Sequence, residues 1–268
     1  MVLYFGDCRD ILKTIPDETY DCVVTDCPYH IVTGGTRIEY VGDETAGIQN
    51  KRRKYDGKTD TRKISANPLQ VMCATDLKNK WLKQNDKDNE LLVREGKLFR
   101  HNEIKFEEWL PEIFRVLKSG THCYIMINGR NLTELQQKAE KAGFKYQNLL
   151  VWKKQNATPN KYYMQQCEFI LMLRKGAARN VNNMGLKNCF EIPNILGNKK
   201  HPTEKPVDLL RIFVEQSTNS GDKILDPFMG CGSTGVACKQ SGRNFDGIEL
   251  DVAYFLTALE DIEGGLDI

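Results

Sequence analysis

The sequence predicts an α/β fold in which a largely parallel sheet is packed between helices. Three observations carry this reading. Short β-rich runs alternate with segments of helical periodicity along most of the chain. A glycine-rich stretch, Gly230-Cys231-Gly232-Ser233-Thr234-Gly235, falls between one such strand and one such helix. A length of 268 residues, 40% hydrophobic and 28% charged, suits one core carrying an insertion.

Taken in order, residues 20–25 (Tyr-Asp-Cys-Val-Val-Thr) read as a buried strand that halts in the polar loop Asp26-Cys27-Pro28-Tyr29. Residues 106–118 place Trp109, Leu110, Ile113, Phe114 and Leu117 on one helical face, and Ser119-Gly120 closes the helix. Residues 122–127 follow as a strand, 132–142 as a helix, and 149–153 and 168–173 as two further strands. A helix over 207–216 precedes a strand over 223–225, the glycine-rich loop, a helix over 236–241 and a strand over 244–248 that ends at Glu249. The basic stretch 174–205 reads as a connection over the surface.

Residues 31 to about 105 break this rhythm, and a loop of that length is uncommon unless it works. Within it, residues 51–63 hold seven basic side chains against two acidic ones. A run of this composition serves equally as solvated surface or as a phosphate-binding stripe, with Arg52, Arg53 and Lys54 its densest part.

Several classes are excluded at this level. No window of 18 or more apolar residues exists, and the start lacks a basic segment followed by an apolar one, so a cytoplasmic protein without membrane association is expected. Nine cysteines without a CxxC pair suggest reduced thiols, not a disulfide framework or zinc ribbon. His30, His101, His122 and His201 are scattered without cysteine or carboxylate at ligand spacing, so no metal site is expected.

Two motifs carry chemistry. The glycine-rich loop satisfies GxGxxG after a strand and before a helix, with Glu249 at the end of the next strand. In that setting glycines let the backbone turn against a ligand, a helix start offers unpaired N–H donors, and the carboxylate accepts ribose hydroxyls. The alternative is a structural turn. Only 33 residues follow Gly235, so upstream chain must complete the sheet, an order circularly permuted relative to a dehydrogenase and unfavourable to NAD.

Asp26-Cys27-Pro28-Tyr29 is the second motif. A carboxylate, a backbone carbonyl and an aromatic face in series suit an exocyclic amine, whose lone pair is delocalised into its ring. Hydrogen bonds from its two N–H groups to Asp26 and the Pro28 carbonyl would favour a pyramidal nitrogen aimed at an electrophile. A capped strand-to-loop turn is the plainer alternative. Cys27 is read as a packing residue.

With these residues in view, the chain resembles the beta group of DNA amino-methyltransferases, in which the catalytic tetrapeptide precedes the cofactor loop. The likeness covers residues 1–29 and about 106–255 and rests on four segments: Gly6-Asp7-Cys8-Arg9-Asp10-Ile11-Leu12 leading into Asp26-Cys27-Pro28-Tyr29; His201-Pro202-Thr203-Glu204-Lys205-Pro206; Asp226-Pro227-Phe228-Met229-Gly230-Cys231-Gly232; and Gly247-Ile248-Glu249-Leu250-Asp251. Cys27 stands where the family's DPPY tetrapeptide has its first proline.

The resemblance implies a circularly permuted Rossmann-like methyltransferase fold, a catalytic domain of residues 1–30 and 106–268, and an insertion, 31–105, for DNA target recognition. It implies S-adenosylmethionine as cofactor, with Asp7 at the adenine, Thr203 and Lys205 near the methionine end, Asp226, Phe228, Gly230 and Gly232 in the loop, and Glu249 on the ribose. Asp26, Pro28 and Tyr29 would be catalytic, and Arg52, Arg53 and Lys54 would hold DNA phosphates. The implied reaction is methylation of adenine N6 in double-stranded DNA after base flipping. N4-cytosine methylation and a catalytically silent DNA-binding subunit remain as alternatives. The resemblance leaves open a homodimer and a cognate restriction endonuclease as partners.

Overall fold

The computed structural model describes residues 1–28, 104–159, 161–196 and 204–264. In chain order these form β1 (Val2–Phe5), α1 (Cys8–Thr14), β2 (Tyr20–Asp26), a 3-10 turn (Phe106–Glu108), α2 (Leu110–Val116), β3 (Leu117–Ile127), α3 (Leu132–Lys141) and β4 (Lys145–Thr158). They continue as β5 (Gln165–Arg174), β6 (Cys189–Glu191), α4 (Val207–Ser217), β7 (Lys223–Asp226), α5 (Ser233–Gln240), β8 (Asn244–Glu249) and α6 (Val252–Glu263).

The strands make one sheet in the order β1-β8-β7-β2-β3-β5-β4-β6. From β1 to β3 every pairing is parallel; β5 runs antiparallel to β3 and β4, and β6 lies parallel to β4. The expected α/β architecture is therefore present, with β2 from the start of the chain seated between β3 and β7, as the permuted order requires.

Alternation within β2 explains why its middle, Cys22 to Val24, is apolar on both faces. Val23 joins a core with Leu12 of α1, Leu110 and Ile113 of α2 and Leu135 of α3, whereas Cys22 and Val24 join a second core with Phe213 of α4, Ala237 of α5 and Ala258 of α6. A strand covered on both faces has no polar side to show. Asp246 of β8, fully buried, accepts from the Val2 amide at 3.0 Å and the Tyr20 hydroxyl at 2.9 Å and faces the Lys223 ammonium at 2.6 Å, tying four strands at one point. Among the described residues no helix is long and apolar enough to cross a membrane.

Several boundaries differ from expectation. The helix expected over 106–118 is a 3-10 turn followed by α2, and Leu117 already opens β3. Pro111, in the first turn of α2, has no N–H to donate back along the chain, so the α-helix starts there. Strands β4 and β5 extend well beyond 149–153 and 168–173, because their outer residues are mostly exposed and carry no apolar signal. Helix α5 begins at Ser233, three residues early, and β6 lies inside the stretch expected to be a surface connection. The expected insertion lies almost wholly outside the described residues.

The glycines of the loop owe much of their identity to helix packing. Gly232 has φ +86°, and a Cβ there would sit 2.8 Å from Ile262 and 2.9 Å from Ala258 of α6. A Cβ on Gly235 would overlap Ile262 and lie 2.8 Å from Phe245 of β8. Gly235→Ala is therefore expected to destabilise the fold by about 1–3 kcal/mol in denaturant unfolding. Combining it with Ile262→Ala should cost less than the sum of the two single changes; strict additivity would show that the contact is not the reason for the glycine.

Candidate active site

The strands β7 and β2 are parallel neighbours, with Cys22 opposite Ile224 and Val23 opposite Leu225, so Asp226 and Asp26 end adjacent strands on one edge of the sheet. Chain leaves β7 for α5 across the β8 side, while β2 is followed in the sheet by β3. Open α/β sheets place ligand crevices at such a reversal, outside the carboxyl ends.

A hydrogen bond joins the two motifs directly. The Thr25 hydroxyl donates to Asp226 Oδ1 at 2.7 Å, across 201 positions of sequence. Asp226 Oδ1 also accepts from the Phe228 amide at 3.1 Å, and its Oδ2 accepts from the Thr234 hydroxyl at 2.7 Å. Burial pushes this carboxyl up to about 6, against those three donors. Asp226 thus shapes the loop from inside: its oxygens are occupied by the turn itself and do not face out to a ligand.

Glu249 braces the same loop from β8. Its Oε2 accepts from the Gly230 amide at 2.9 Å and its Oε1 from the Asp251 amide at 2.7 Å, while burial raises the carboxyl to about 7. The Gly6 amide donates to the Glu249 carbonyl at 2.9 Å, which sets Asp7 beside this corner as the N-cap of α1, its carboxylate also gripped by the Arg9 guanidinium. Phe228 meets the buried Trp109 edge to face, ring centres 5.1 Å apart. The residues expected around an adenosine group therefore gather at the ends of β1, β8 and β7. The vacant sides of Gly232 and Gly235 face α6 and β8, so packing behind the loop also demands glycine at these positions.

Beside the end of β2 stands a chain of alternating charges. Asp26 Oδ2 accepts from the Lys205 ammonium at 2.5 Å, that ammonium lies 3.7 Å from Glu168 Oε2, and the Lys154 ammonium donates to Glu168 Oε1 at 2.8 Å. Burial raises the Asp26 carboxyl above its ordinary range, an effect larger than the opposing pull of Lys205. Burial also works against a charged Lys205, yet the two facing carboxylates hold its pKa above the usual lysine value. Glu168 is kept low by Lys205 and Lys154, although burial alone would raise it. Sequence reading placed Lys205 at the cofactor; here its ammonium sits on Asp26. Thr25, Thr234, Lys154 and Glu168 were not singled out, and the one available signal was an ionisable glutamate leading into the apolar run 169–173.

Cys27 is buried, its thiol 3.8 Å from the Met126 carbonyl and pushed well above its ordinary pKa by burial, as suits a packing residue. Pro28 is half-buried beside it. Tyr29, Thr203, Arg52, Arg53 and Lys54 lie outside the described residues. Among the described residues no cluster of three histidine, cysteine or acidic groups could hold a metal.

A family model described as DNA methylase, for N6/N4 methyltransferases, matches residues 20–260. The chain belongs to this DNA methylase family. It is 29% identical to the type II methyltransferase M2.DpnII of Streptococcus pneumoniae over 98% of its own length and 90% of that protein. It is 28% identical to the type II methyltransferase M.HinfI of Haemophilus influenzae over 93% of its length, and spans 64% of that longer relative. Its fold matches the crystal structure of the M1.HpyAVI–SAM complex with a TM-score of 0.60 at 23% identity, covering 97% of this chain and 98% of the other.

Within this DNA methylase the Thr25 hydroxyl matters most when Asp226 is ionised. A carboxylate raised to about 6 from 3.8 favours the fold while protonated and loses that contribution as pH rises through about 6. Thr25→Val removes a donor from the charged form, so it should cost about 1–3 kcal/mol at pH 8 and clearly less at pH 5. Equal losses at both pH values in urea unfolding would contradict the role given to this hydrogen bond.

Proposed function

We propose that the chain is a site-specific DNA methyltransferase that moves a methyl group from S-adenosylmethionine to adenine N6 in double-stranded DNA. One observation carries the reading. Asp26 ends β2 at the crevice with Oδ2 tethered by Lys205, and among the described residues no hydrogen bond reaches its Oδ1. A carboxylate held at one oxygen and open at the other is set to accept an amine N–H. The type II relatives M2.DpnII and M.HinfI support a sequence-specific methylation, and the SAM complex of M1.HpyAVI, which shares the fold, supports the cofactor.

The donor set fits S-adenosylmethionine. Glu249 offers carboxylate lone pairs beyond the two it spends on amides, and the start of α5 leaves first-turn N–H groups without acceptors inside the helix. When bound, S-adenosylmethionine supplies a sulfonium methyl that passes to the amine nitrogen by in-line displacement. Glu249 and Asp7 orient its adenosine end, Asp226 holds the loop in shape behind them, and Thr203 stands toward its methionine end while Lys205 holds Asp26. Phe228, Gly230 and Gly232 line the loop against it.

Asp26 Oδ1 and the Pro28 carbonyl accept the two N–H groups of a flipped adenine, and Tyr29 stacks on its ring. As the new N–C bond forms, positive charge grows on the nitrogen opposite the Asp26 carboxylate, which is placed to take the departing proton. Lys205 keeps that carboxylate charged and oriented. Positioning of this kind supplies most of the acceleration, because the electrophile is already activated. Residues 31–105 serve target recognition, with Arg52, Arg53 and Lys54 on the phosphates.

Asp26→Ala should lower methyl transfer to DNA by about 100-fold or more while S-adenosylmethionine affinity, by calorimetry, stays within about two-fold. Methylome sequencing of DNA from cells expressing the chain should show N6-methyladenine in one sequence context, lost in this variant; N4-methylcytosine instead would overturn the choice of base. Cofactor affinity should rise with pH through about 7, since Glu249 accepts from hydroxyls more strongly, and at both oxygens, when ionised, and Glu249→Gln should flatten that dependence. An unchanged pH profile would remove Glu249 from the cofactor site.

A further inference from the structure

The hairpin that joins β4 to β5 ends in a patch at odds with its surroundings. The last pairing is Thr158 with Gln165, and beyond it Tyr162, Tyr163 and Met164 are 89%, 88% and 63% exposed. Single exposed apolar residues mean little, but three in succession on a projecting turn are costly to leave in water without a purpose. Between Lys154 and Glu168 the sequence holds no acidic residue, while Lys161 is exposed beside the tyrosines. The outer hairpin otherwise shows neutral amides, Gln155, Asn156 and Gln165.

Its position is set by strand register. Asp26 pairs with Met126, and Met126 with Ile170, so these three residues form one row across β2, β3 and β5. From Ile170 the strand runs out to Gln165 on the side of the sheet where β2 and β7 end. Five residues of strand reach about 17 Å, and two strand spacings move about 10 Å sideways. The tip thus projects past the end of the sheet that bears Asp26, two strands to one side of it.

We propose that the Tyr162–Tyr163–Met164 tip stacks on bases that the duplex exposes when the target nucleotide is turned out toward Asp26. This rests on the DNA-methylating reading above and extends it to the part of the substrate that does not react. Extruding a base leaves its partner unpaired and uncovers the faces of its two neighbours, all of which are flat, apolar and sequence-independent. Tyrosine rings cover such faces well, an adjacent lysine meets the phosphates, and the lack of carboxylates avoids repelling them. A second copy of this chain would be a poorer match, because a turn carrying two tyrosines and a methionine offers little area for a stable dimer.

The test compares a fluorescently labelled duplex carrying a short internal bubble of unpaired bases with the fully paired duplex, across salt concentrations. The full chain should bind the bubble more tightly. Replacing both tyrosines, Tyr162→Ala with Tyr163→Ala, should lower affinity for the bubble about five- to a hundred-fold and largely abolish the preference. The slope of affinity against salt should not change, because no charge is removed. The double phenylalanine variant should keep the preference, and S-adenosylmethionine affinity should be unaltered in both.

Retained preference in the alanine variant would overturn the inference, as would an equal loss on paired and unpaired DNA. So would a wild-type dimer that becomes monomeric in the alanine variant by light scattering, which would make the tip a self-association surface. Methylation by the wild-type chain is measured alongside: if it methylates no DNA, the proposed function itself fails, whereas methylation with an indifferent tip refutes only this inference.

Discussion

The buried carboxylate of Asp226 is the joint on which the site is built. It receives Thr25 from one strand, Thr234 from the following helix and the Phe228 amide from the turn between, so a single side chain fixes loop, helix start and neighbouring strand together. A carboxylate this deep would be costly to ionise without donors, and its raised pKa shows that even three do not fully compensate burial. What the fold gains is rigidity at the point where the two chemical motifs meet. Asp26 is one residue past Thr25, so whatever holds Thr25 to Asp226 also sets the Asp26 carboxylate against the glycine-rich loop.

The run of charges from Asp26 through Lys205 and Glu168 to Lys154 solves a different problem. A carboxylate largely removed from water tends to take up a proton, and burial pushes Asp26 that way. Lys205 opposes the tendency, and Glu168 in turn keeps Lys205 charged. A buried ion pair of this sort is weak evidence for stability, since desolvation offsets much of the attraction. Under the proposed function it has another use, because it fixes one oxygen of Asp26 and leaves the other available.

The cofactor loop shows how one motif can answer two demands. Its glycines were legible as a tight turn, and the φ of +86° at Gly232 agrees. Yet the space left by their missing side chains is filled by Ile262, Ala258 and Phe245. The final helix therefore holds the loop in place from behind, which under the proposed function leaves the ligand to backbone amides and to Glu249. The exposed tyrosines of the β4–β5 hairpin lay hidden in the sequence for a related reason: nothing in Lys161-Tyr162-Tyr163-Met164 distinguishes a buried aromatic pair from a projecting one until strand register places it.

Residues close in sequence were readable without coordinates. The apolar run of β2, the glycine turn, the alternation of strand and helix and the acidic end of β8 are each decided within about ten positions, by backbone preference and by which faces need burial. The meeting of Thr25 with Asp226 and of Lys205 with Asp26 depends on pairings 201 and 179 positions apart, and that of Gly235 with Ile262 on helix docking. An apolar strand is compatible with many neighbours, so its own residues do not name its partner; only closing the whole sheet, with both faces covered, selects β7 beside β2 and brings those side chains within bonding distance.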